Sequence, residues 1–112
     1  MPLYMARFGY TPEAWAGLVR SPEDREQTVA KILADAGCRL HSLWYSFGPE
    51  DGFALIEAPD NTTAASISIA VASSGAFRSF DTSVLMTQAE LLDALDKAGD
   101  VAYAAPGAAV HA

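Results

Sequence analysis

The sequence predicts an α+β domain in which a four-stranded antiparallel sheet carries its helices on one face. Three observations predict it. Apolar residues switch between a period of two and a period near 3.6 in the order β-α-β-β-α-β, and a further helix follows. Capping residues mark the helix starts, at Thr11-Pro12, Pro59-Asp60-Asn61 and Thr87. One dense turn, Gly48-Pro49-Glu50-Asp51-Gly52, joins two strand-like runs as an antiparallel hairpin.

Residues 3–8 read as the first strand, ended by Gly9-Tyr10. Trp15, Leu18 and Val19 then make a short apolar stripe, expected to be core, on a helix over 12–20. Ser21-Pro22 restarts the helix, because the residue before proline avoids the α region. Over 22–36, Val29, Ile32, Leu33 and Ala36 recur at i, i+3, i+4 and i+7, the spacing of one buried face, and Gly37 fits the left-handed position that closes a helix. Residues 39–47 form an aromatic-rich strand, and 53–58 form its hairpin partner.

The stretch 62–73 contains the β-branched Ile67, Ile69 and Val71, so periodicity alone leaves strand and helix open. Length and the capping residues favour a helix, closed by Ser74-Gly75. Residues 77–86 are the last strand. Thr87-Gln88-Ala89-Glu90 is a capping box, and the helix after it is expected to bury Leu91, Leu92 and Leu95. Right-handed crossovers on this order give a ferredoxin-like sandwich over residues 1–98, with the Ala/Pro/Gly-rich 99–112 as a tail. Tyr4, Phe8, Leu43, Trp44, Tyr45, Phe47 and Phe80 are more apolar bulk than one sheet face can hide. The other face is expected to meet a second copy in a symmetric dimer.

The totals exclude several classes of function. The 112 residues carry 14 acidic and seven basic side chains, a net charge of −7, with the basic residues scattered. Nucleic acid needs clustered Lys and Arg, so it is not an expected partner. No apolar run reaches the roughly 18 residues that cross a bilayer, and residues 1–10 lack the pattern of a secretory signal. The expected location is the cytoplasm, with no membrane partner. Cys38 is the single cysteine; it is expected to be a buried hydrophobe and forms neither an internal disulfide nor a CxxC pair. One cysteine and two distant histidines, His41 and His111, have no metal-ligand spacing, and no cofactor motif is present.

Two constellations remain. Strict alternation over 39–47 places His41, Leu43, Tyr45 and Phe47 on one face, with Trp44 on the other. A histidine beside a phenol at an apolar pocket suits proton abstraction from a small aromatic or enolic substrate; a satisfied surface histidine fits the same pattern. Arg7, Arg39 and Arg78 lie on strands, where a guanidinium must be paired or near solvent. Arg78 is the first candidate for holding a carboxylate or phenolate, against a structural pair with Glu57 or Asp81. Asp51 is expected to bond its own turn.

Met1-Pro2-Leu3-Tyr4, Tyr10-Thr11, Ser21-Pro22, Glu57-Ala58-Pro59-Asp60 and Ser74-Gly75 before Phe77-Arg78-Ser79 together resemble the GYD domain family over roughly residues 1–97. In the family's Gly-x-Tyr-Asp turn this chain has Gly48-Pro49-Glu50-Asp51, with Glu50 where tyrosine is usual. The resemblance implies a dimeric α/β barrel and brings no established activity. Two functions are therefore carried forward. One is a homodimeric small-molecule-binding domain, whose catalytic form would be a cofactor-free enzyme with His41 as base and Tyr4, Trp44, Tyr45 and Arg78 around the ligand. The other is a non-catalytic dimerisation or regulatory module.

Overall fold

The computed structural model describes residues 1–107; His111 and the last part of the 99–112 tail lie outside them. The elements are β1 (Leu3–Tyr10), α1 (Pro12–Arg20), α2 (Arg25–Asp35), β2 (Arg39–Tyr45), β3 (Gly52–Glu57), α3 (Asn61–Ala72), β4 (Phe77–Leu85) and α4 (Gln88–Ala98). They form an α+β unit with an open, fully antiparallel sheet in the order β2-β3-β1-β4. None of the described helices is long and apolar enough to cross a membrane.

Local chemistry accounts for the helix starts. Thr11 accepts the Ala14 amide ahead of Pro12, and Asp60 accepts the Thr63 amide at 2.8 Å. At α4 both halves of the Thr87–Glu90 capping box are made. One boundary differs from expectation. The second helix begins at Arg25, not at Pro22, because Asp24 accepts the Gln27 amide and becomes the N-cap. Gly37 takes φ +79° and closes α2 as expected.

Tyr4, Ala6, Phe8 and Tyr10 alternate inward from β1 and are buried under the helices. The tightest part of the core joins Tyr4, Leu33, Cys38 and Ala58, and Leu33 is the one large side chain fully buried there among the described residues. Cys38 is buried as expected, and burial followed by the Asp60 charge pushes its thiol up, so it stays protonated. The Trp15–Val19 stripe is not core: Trp15 is 39% exposed and Val19 77%. Nor does α4 bury its leucines within the chain. Every residue from 88 to 98 is exposed, and the radius of gyration is 18.6 Å, against about 13 Å for a compact chain of this length.

The close approach of β1 and β3 depends on Gly52. It pairs with Phe8, and a Cβ at Gly52 would enter the buried Phe8 ring. Gly52→Ala is expected to cost about 1–3 kcal/mol of stability by overpacking, read as a fall in urea midpoint. Gly9→Ala is the control. Its Cβ would meet only the long Arg78 side chain, 45% exposed and free to swing, so the loss should be clearly smaller. Equal losses would show that the Phe8 ring yields as easily as an arginine.

Candidate functional site

The helix-side face of the sheet ends in a cluster of rings. Tyr10, at the end of β1, lies 5.0 Å (centroid to centroid) from Trp15 of α1 and 5.1 Å from Phe77 of β4. Phe8 packs edge-on against Tyr10, Tyr45 and Phe77. Beneath these rings the sheet and the two crossover helices enclose a cavity of about 100 Å³, walled by Phe8, Val29, Ile67, Val71, Phe77 and Phe80. An open groove of about 490 Å³, bordered by Trp15, Glu23, Glu26 and Tyr45, runs past it. Arg25 borders both spaces.

The polar groups of this mouth are few. The Tyr10 and Tyr45 hydroxyls lie 3.1 Å apart. Partial burial, then the Tyr10 hydroxyl, raises the Tyr45 pKa well above a free phenol, so Tyr45 keeps its proton. Arg25 reaches Glu23 at 3.4 Å, while its Nε is buried without a partner. Burial works against the Arg25 charge, but Tyr10 and Glu23 outweigh it and the group stays firmly cationic.

Asp51 closes the outer side of the cluster. Its carboxylate accepts the Tyr10 amide at 2.8 Å and the Trp15 indole N–H at 3.2 Å, and it faces Arg78 at 3.4 Å. It thus ties the 46–51 turn to β1 and α1, where the expectation was a bond within its own turn. The Tyr10 amide lowers the Asp51 pKa most; partial burial opposes this, and Trp15 and Arg78 lower it further. A depressed carboxyl contributes stability above its unfolded value of about 3.9, lost as pH falls through the lower folded value. Asp51→Asn is therefore expected to cost about 1–3 kcal/mol at pH 7, with a shallower acid limb below about pH 4. Urea unfolding at pH 7 and pH 3 checks this; a variant that loses stability with acid as steeply as the parent would refute it.

The structure scatters the residues singled out from sequence. A register shift between Leu40 and Ser42 inserts one extra residue into β2. Leu40 packs on the core and Leu43 lines the cavity, so both face the helices although they are three residues apart. His41 therefore turns to the opposite face, where its Nε2 lies 3.3 Å from Glu57. Tyr45 stays at the cavity mouth, and His41 and Tyr45 are on opposite sides of the sheet. Trp44, 67% exposed, pairs with Phe53 on the same side as His41. Tyr4 is buried, and its hydroxyl donates to Asn61 Oδ1 at 2.6 Å, which pins α3 to β1. Arg78 donates to the Pro49 carbonyl and pairs with Asp51, not with Glu57 or Asp81.

Sequence reasoning missed Tyr10 and Arg25. A signal for Arg25 existed. It is a cation in the first turn of a helix, where the dipole favours acids, and such local breaches concentrate at functional positions.

Fold and site together define an α+β domain with an open antiparallel sheet and an aromatic cavity between that sheet and its helices. The sequence model of the GYD domain family matches residues 4–95, and the chain belongs to that family. No curated protein and no solved structure shows significant similarity to it.

Proposed function

We propose that this GYD domain is a homodimeric, ferredoxin-like α/β-barrel protein that holds a small molecule between its sheet and its helices. The observation that carries the reading is the apolar cavity beneath Phe8 and Phe77, opening at a mouth made by Arg25, Tyr10 and Tyr45. A mostly apolar space with a few convergent polar groups is the usual form of a ligand site. The reading is of binding first. His41, the candidate base, faces Glu57 on the far side of the sheet, so any catalysis would fall to the groups of the mouth.

Dimerisation is supported by two uncovered apolar surfaces. Met5, Phe53, Leu55 and Trp44 share the sheet face that none of the described helices covers, and the α4 leucines face outward. These surfaces also favour a second reading, a non-catalytic dimerisation module. Fluorobenzene, followed by ¹⁹F NMR, separates the two. Saturable binding that is abolished by Val71→Phe and unchanged by His41→Ala supports the ligand-holding reading. Absence of binding to the folded parent chain favours the module.

A further inference from the structure

We infer that the molecule held in this cavity is a small monocarboxylate with a compact apolar tail, recognised at its charged end by Arg25 and the Tyr10–Tyr45 hydroxyl pair. The inference rests on the proposed ligand-holding cavity and names the chemistry of its occupant.

Size sets the tail. A dry cavity of about 150 Å³ accommodates benzene, and this one measures about 100 Å³. Its occupant is thus a single ring reaching partly into the mouth, or a branched chain of four or five carbons. A fused or extended ring system does not fit without displacing Phe77 or Phe80. The charged end must then lie at the mouth, where Arg25 borders both cavity and groove.

Unused donors set the sign of the charge. Two hydroxyls 3.1 Å apart share one hydrogen bond, so one of their two hydrogens remains to be donated elsewhere. The buried Arg25 Nε has no acceptor, and the Glu23 contact at 3.4 Å is long for a charge-assisted bond. A carboxylate is acceptor-only and matches the guanidinium fork, so it satisfies these donors together. A neutral alcohol or amide brings fewer acceptor sites and no charge.

The neighbouring acids set the number of charges. Glu23, Asp24 and Glu26 all border the groove. Asp24 is engaged as the α2 N-cap, and Glu26 accepts the Leu43 amide at 3.3 Å. Three carboxylates around one guanidinium leave the groove net negative, so every charge on a ligand is opposed. A dianion such as a phosphate monoester is opposed more strongly than a monoanion, whose single charge is met by the Arg25 guanidinium and whose apolar tail enters the cavity.

The test is a titration of the isotope-labelled full-length chain, following the methyl resonances of Ile67 and Val71. The probes are benzoate, benzyl alcohol, phthalate and inorganic phosphate. Benzoate is expected to bind at least tenfold more tightly than benzyl alcohol, and phthalate and phosphate much more weakly than benzoate. Arg25→Gln should remove the benzoate preference, so that benzoate binds no more tightly than benzyl alcohol. Tyr45→Phe, at a half-exposed ring, should reduce the preference and serves if the arginine variant does not fold. Equal binding of benzoate and benzyl alcohol overturns the inference but leaves the cavity standing. A site that responds equally to phosphate also overturns it. Binding of none of the four defeats the inference and the ligand-holding reading together.

Discussion

Leu33→Ala is expected to remove about 2–5 kcal/mol of stability, a large part of the 5–15 kcal/mol that holds a typical domain together. Leu33 is the only large side chain fully buried among the described residues of the core. It joins Tyr4, Cys38 and Ala58 and also borders the aromatic cavity. Truncation would extend an existing void, so the neighbours have little reason to collapse into the space. The cost should therefore fall in the upper half of the range. In a melting experiment the loss corresponds to roughly 4–8 °C per kcal/mol for a domain near this size. A fall of less than about 1 kcal/mol in urea unfolding would mean that α2 is not anchored through this residue. The enlarged space should also admit larger tails, so the same variant tests the size argument independently.

The second large effect concerns assembly. With Leu91→Asp and Leu95→Asp together, the chain is expected to sediment as a monomer at concentrations where the proposed parent dimer would persist. The two leucines are 39% and 59% exposed in the chain, so the substitutions remove little packing within it, and circular dichroism should be largely unchanged. In a symmetric pair the two changes remove four leucines. At about 1.5–3 kcal/mol for each fully buried side chain, the upper bound is on the order of 6–12 kcal/mol. That is comparable with the roughly 8 kcal/mol of a micromolar complex. A variant that remains dimeric would place the contact on the sheet face alone. A parent chain that is monomeric at 100 µM would end the dimer reading itself.

The architecture was largely legible because short-range chemistry marks it. Thr11-Pro12, Asp60, the Thr87–Glu90 box and Gly37 each act within a few residues, and each appears where the sequence places it. The break between α1 and α2 was less so. Ser21-Pro22 and Asp24 are both adequate starts, and only the amide actually capped decides between them. The site was legible only in part. Tyr45 stands at the mouth, but alternation counts residues, and a single inserted residue inverts every position before it relative to those after it. That one bulge moves His41 to the other face. Tyr4 and Arg78, both expected around the ligand, are instead held by structural partners, Asn61 and Asp51. Tyr10 enters the site through tertiary contact of the end of β1 with α1 and β4, which no local pattern encodes, whereas Arg25 left only the local trace of a cation in the first turn of a helix.

The sheet also divides the two tryptophans. Trp15 lies against Tyr10 with its indole bonded to Asp51, and Trp44 stands on the helix-free side. The protein therefore carries two optical reporters on separate events. Emission from Trp15 is expected to respond to a ligand entering the proposed site and to acid loosening of the 46–51 turn, whereas a blue shift of Trp44 would register withdrawal of its indole from water. Chains with phenylalanine at one position or the other would let occupancy and self-association be followed separately, without any added dye.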